Sequence, residues 1–93
     1  MKLSMELCKG RHETPATDGA IFDTEVDPLK TLDLENHACE KLVQLQVTEL
    51  DLYVTGLTVA LIAVLNAART LSIPVTLYHF DVKSKSYYSQ KVK

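Results

Sequence analysis

No apolar run in this sequence is long enough to cross a membrane. The longest, Leu57 to Leu65, is interrupted by Thr58 and followed by Asn66 and Arg69, far short of the ~20 residues a spanning helix needs. No secretory leader is expected either. Lys2 makes a weak basic start, but the charged stretch from Glu6 to Glu13 stands where an apolar core would be. Both absences predict a cytoplasmic protein with no membrane partner. Basic charge is not in excess either: the net charge is -2 and the isoelectric point about 5.8. That excludes a duplex-DNA binder working by phosphate neutralisation, yet a single nucleotide or short oligonucleotide needs only a few cations. Cysteine is scarce. Cys8 and Cys39 form no CxxC pair, so reduced thiols are expected rather than a disulfide framework or a zinc site. Nothing resembling a phosphate-binding GxxxxGK[ST] loop, a GxGxxG turn, a repeat or a low-complexity tract is present, and no cofactor is expected.

What remains is a chain of 93 residues, 46% hydrophobic, which suits one domain with a modest core spanning 1–93. KLSMELC alternates, with Leu3, Met5 and Leu7 on one side and Lys2, Ser4 and Glu6 on the other, as a half-buried strand does. Periodicity then stops. Lys9 to Lys30 reads as a long loop punctuated by Pro15, Gly19 and Pro28, anchored by Ala20-Ile21-Phe22; such loops tend to be functional or to hide a short element. Leu34, Ala38, Leu42 and Leu45 share one face of a helix over roughly 34–46, capped by Thr31 or Asp33. His37 falls on its polar, solvated face. Leu50 to Thr55 alternates as a second strand, with Asp51 on a thinner or partly open face. Gly56 ends it, and Thr58 is placed to cap a helix that runs to about Ser72, before Pro74. Val75 to Phe80 is a β-branched and aromatic strand. A turn over 81–86 then leads to a hairpin partner over 87–92. Strands alternating with helices imply parallel pairing and right-handed crossovers. The expected fold is therefore α/β: a small Rossmann-like sandwich, mostly parallel, with a C-terminal antiparallel hairpin.

In such a sheet the residues after each parallel strand meet at one edge, where ligands bind in open α/β folds. Lys9, Gly10, Arg11, His12 and Glu13 follow the first strand, Thr55, Gly56 and Thr58 the second, and His79 and Asp81 close the third. Together they suit an anion. The helix N-terminus offers amide groups and partial positive charge, and Gly56 permits close approach. Thr55 and Thr58 offer hydroxyls, while Lys9 and Arg11 pair with phosphate. The expected ligand-binding residues are Lys9, Arg11, Thr55, Gly56, Thr58 and Asp81. His12 and His79 could act as general acid and base in phosphodiester cleavage, oriented by Glu13 or Asp81. Each feature also has a plainer explanation. A Thr-Gly hinge can simply turn the chain, a charged loop can simply be solvated, and His79 can be a half-buried strand residue. No metal site is expected, because no close histidine pair supports one, and Cys8 is not expected to be a nucleophile.

The second helix is apolar almost all round. Leu61, Val64, Leu65, Ala68 and Leu71 make one face, and Val59, Ile62 and Ala63 lie opposite with Asn66 and Thr70. A helix apolar on two sides is covered on two sides. The sequence therefore predicts either a homodimer, or a higher homo-oligomer, through Val59, Ile62, Ala63 and Asn66, with Ala67 also small enough for close approach, or the long loop folded over that face.

LYVTGLTVALIAVLNAARTLSIPVTLYHFD resembles the small CRISPR-associated Rossmann-fold (CARF-like) proteins, and also the short proteins carried by phages of Gram-positive bacteria, over Leu50 to Val92. The resemblance implies a dimer whose strand-to-helix loops hold a cyclic oligonucleotide or a similar nucleotide-derived messenger. It assigns Thr55, Gly56 and Thr58 to the ligand loop and puts His79 near the third strand. A phage anti-defence sponge is then the expected function, with a ring-nuclease-like phosphodiesterase, or an inhibitory protein-interaction module without a small ligand, as alternatives.

Overall fold

The computed structural model describes residues 1–10 and 13–92. Seven elements follow one another: β1 (Lys2–Cys8), β2 (Ala20–Phe22), α1 (Thr31–Gln44), β3 (Glu49–Tyr53), α2 (Thr58–Thr70), β4 (Val75–Asp81) and β5 (Ser86–Val92). They form a five-stranded sheet in the order β2-β1-β3-β4-β5. The first four strands are parallel, and β5 returns antiparallel to β4 with Asp81 opposite Ser86 and Val75 opposite Val92. This is the expected α/β class with its terminal hairpin.

Handedness decides where the connections lie. The chain steps from β2 past β1 to β3 through α1, and from β3 to β4 through α2, both times in the same direction. Right-handed crossovers put both helices on one face, and α1 indeed packs along α2. The step from β1 to β2 runs the opposite way, so its connection crosses the opposite face. Thr14 Oγ1 donates to Glu6 Oε2 there at 3.1 Å, and the Tyr87 hydroxyl reaches the Glu13 carbonyl at 3.4 Å. The short β2 is the element hidden in the long loop, with Ala20, Ile21 and Phe22 all buried.

The core lies between sheet and helices. Leu3, Met5, Leu7, Leu50, Leu52, Val75 and Leu77 meet Leu34, Ala38 and Leu42 of α1 and Ala60, Val64, Ala67 and Ala68 of α2. On the other face Ser4, Glu6, Asp51, Tyr53, Thr76 and Tyr78 are half-buried. Lys2 pairs with Glu49 and Asp51 at 3.1 and 3.6 Å, and Tyr53 stacks on Tyr78 with centroids 4.8 Å apart.

Several local expectations change. Helix α1 starts at Thr31 and ends at Gln44, capped by Lys30 and Leu45 with no side-chain cap bond. Asp27 instead accepts the Leu29 amide in the preceding turn. His37 is not merely solvated: its Nε2 bonds the Ile21 carbonyl at 3.2 Å and its ring stacks on Phe22. On α2 the buried residues are Ala60, Ala63, Val64, Ala67 and Ala68, while Leu61, Leu65 and Leu71 are only half-buried. Part of the second apolar side packs against α1 of the same chain. Ala63 is buried, and Asn66 Nδ2 donates to Glu35 Oε2 of α1 at 3.4 Å; Val59 packs on the core and Ile62 stays exposed.

Candidate functional site

The strand order reverses between β1 and β3, where a crevice opens in folds of this kind. The two strand ends are tied together there. Thr55, buried just beyond β3, donates its hydroxyl proton to the Cys8 carbonyl at 2.9 Å and accepts the Cys8 amide at 3.1 Å. Gly10 and Gly56 then turn the two chains away with φ of 81° and 87°, a region that side chains disfavour. The Thr-Gly pair thus divides its work: threonine ties two loops together and glycine swings the chain into α2. Thr58 is the first residue of that helix rather than its cap. Leu57 holds the cap position, without a side-chain bond, and no acidic residue occupies the first turn.

Two hollows flank this crossing. One, of about 590 Å³, lies at the ends of β1 and β2 and is lined by Cys8, Lys9, Asp23, Thr24, Glu25, Val26, Pro28 and Leu57. Its charge is mixed. Asp23 is held below the usual carboxylate range by a hydrogen bond and the charge of Lys41, 3.2 Å away. The other, of about 650 Å³, is lined by Glu13, Val54, His79, Phe80, Val82, Tyr87 and Tyr88. Its walls come from the register of the hairpin, which sets His79 opposite Tyr88 and Phe80 opposite Tyr87. The first pair of rings lies 5.2 Å apart and tilted by 31°; the second lies 5.3 Å apart, edge to face at 64°. His79 Nε2 bonds Gln90 Oε1 at 2.9 Å. Phe80, Val82 and Tyr88 keep much of their apolar surface in water.

The expected site residues are therefore distributed. Lys9 is exposed in the first hollow, and Gly56 and Thr58 are exposed between the two. His79 lines the second. Thr55 faces inward, its hydroxyl engaged by the backbone of Cys8. Asp81 accepts the amides of Lys83 and Ser84 at 3.3 Å each, and hydrogen bonds from Ser84 and then Lys83 hold its carboxyl below the ordinary range. It shapes the hairpin turn and does not orient His79. Arg11 and His12 lie outside the described residues. Among the described residues, no group of three His, Cys, Asp or Glu side chains is arranged to hold a metal ion, and no helix is long and apolar enough to cross a membrane.

Sequence reasoning missed the aromatic wall. In the sequence Phe80 reads as a strand residue and Tyr87-Tyr88 as the start of its partner. The available signal was an aromatic pair on each side of a short turn, which a hairpin register brings face to face. Comparison with family models, with curated proteins and with solved structures finds no match to this chain.

Proposed function

We propose that the protein binds a nucleotide-derived anion in the aromatic hollow at the ends of β3, β4 and β5. The observation that carries this reading is the lining of that hollow: His79, Phe80, Tyr87 and Tyr88 are among the residues that line about 650 Å³ near the carboxyl edge of the parallel strands, His79 with Tyr88 on one face of the hairpin and Phe80 with Tyr87 on the other. That volume falls in the range of small-ligand sites, roughly 300–1,000 Å³, and aromatic faces stack on nucleobases whatever their identity. Lys83 and Lys85, in the turn that follows Val82, supply cations beside it, and Lys9 and the α2 N-terminus lie further along the same edge for the phosphates of a larger ligand. This keeps the ligand class that the resemblance to CARF-like proteins implies, and moves the base-binding part from the Thr-Gly loop to the hairpin.

Simple binding is favoured over cleavage, because Asp81 is committed to the turn and His79 to Gln90. Calorimetric titration with mononucleotides and linear and cyclic di- to tetranucleotides tests the reading. At least one should bind the wild type, and Tyr88→Ala should weaken it about tenfold, since stacking on one ring contributes roughly 1–3 kcal/mol. Ligand recovered from the denatured complex should be intact. Equal affinity for wild type and Tyr88→Ala, or no binding by any of these, would remove the hollow from consideration.

A further inference from the structure

The two ends of the sheet are finished differently. At one end, β2 is three residues long and buried, and His37 of α1 bonds its Ile21 carbonyl. At the other, β5 is seven residues long, exposed at six of them, and last in the strand order, so no described strand pairs with its outer edge. The ladder fixes which groups lie on that edge. Leu50 N bonds Pro74 O and Val54 N bonds Tyr78 O, so the even-numbered residues of β4 turn their backbone groups toward β3. The odd-numbered ones, Val75, Leu77, His79 and Asp81, then face β5. Their partners on β5 are Val92, Gln90, Tyr88 and Ser86. The residues between, Tyr87, Ser89 and Lys91, point their N–H and C=O groups away from the sheet.

An edge of this kind is a template for another strand unless it is blunted by proline, a bulge, charged side chains such as lysine or a covering element; a lysine repels a like-charged strand and not an acidic one. β5 contains no proline, pairs with β4 residue for residue from Ser86 to Val92, and has Lys91 as its only charged residue. Charge selects the partner. All twelve acidic residues of the chain lie at or before Asp81, whereas Lys83, Lys85, Lys91 and Lys93 follow it with no acid among them. Two copies pairing β5 to β5 would bring like charges together. A strand of opposite sign would not.

We propose that the outer edge of β5 receives an extended acidic segment of a partner protein, which adds a sixth strand through the backbone groups of Tyr87, Ser89 and Lys91. This goes beyond the nucleotide reading and does not depend on it, because the receiving groups belong to the backbone edge and not to the hollow. An acetylated eight-residue peptide alternating valine with glutamate is the probe, titrated by fluorescence anisotropy. It should bind, and about tenfold or more weaker at 0.5 M salt than at 0.05 M, since exposed charges are screened. The same peptide with lysine for glutamate should bind at least tenfold more weakly. Ser89→Pro removes one outward N–H that β4 does not use, so it should abolish peptide binding while leaving the melting temperature and nucleotide affinity unchanged. Should that variant fail to fold, a probe N-methylated at alternate residues decides in its place, since it keeps charge and side chains but cannot pair. Equal binding of methylated and unmethylated probes, or of acidic and basic ones, overturns the proposal. So does a wild type that ignores the peptide, including one that dimerises through β5 and becomes monomeric on Ser89→Pro.

Discussion

Thr55 is the side chain on which the geometry of the strand ends turns. Its methyl group is buried and its hydroxyl serves both the amide and the carbonyl of Cys8. Thr55→Val keeps the shape and loses both bonds, so stability should fall by about 1–3 kcal/mol, read as a melting point ~5–15 °C lower. Thr55→Ser should recover most of it. If Thr55→Val melts like the wild type, the tie between the loops is not holding them. Tyr53 offers a second residue-scale test. Burial raises its phenol above the usual value of 10.0, helped by Tyr78 and Asp51. A raised folded value means the contribution of Tyr53 to stability is complete below pH ~10 and is lost as pH rises through the folded value. In an alkaline titration followed by phenolate absorbance, Tyr53 should ionise later than a free tyrosine. Tyr53→Phe should remove that late step.

At the scale of elements, the contact between α1 and α2 explains the alanines. Ala60, Ala63 and Ala67 recur at helical spacing and are all buried, because only a small side chain lets a neighbouring helix approach. Ala63→Leu should force the pair apart and cost about 1–3 kcal/mol, whereas Ile62→Glu, at a position 51% exposed, should change stability by less than ~0.5 kcal/mol. Chemical denaturation of both variants checks the contrast; similar losses would mean that Ile62 is covered by something other than water. The same contact shows why the helix wheel misled. Counting leucines as core and alanines as spacers is sound for a helix meeting a sheet alone, but α2 also meets α1, and close approach selects the smallest residues. Sequence alone did reveal β1, β3, β4, β5, α1 and α2, since their patterns are long enough to see. It did not reveal β2 as a strand, because three consecutive buried residues display no period at all.

For the whole molecule, the topology was legible and the site only partly so. Alternating strands and helices predicted that the ends of β1 and β3 would be neighbours, and Thr55 bridges them. The hollow at the hairpin depends instead on which residue of β5 faces which residue of β4, a register that no single segment encodes. The distribution of charge, acidic up to Asp81 and basic after it, needed the strand order before it acquired meaning, because only then does the basic part become an edge. The position of β1 carries a consequence of another kind. It is the first of the five strands to be made, yet it lies between two neighbours, and one of them pairs Lys2 with Glu49 and Leu3 with Leu50. During synthesis β2 pairs only the far half of β1, at Glu6 and Cys8; the other edge of β1 stays unpaired until β3 has emerged, and its apolar side, Leu3, Met5 and Leu7, waits for α1 and α2. Long-range pairings of this sort are slow to form and leave apolar surface bare in the meantime. The first of the five strands to be made thus waits for the chain beyond its midpoint before both of its edges are paired.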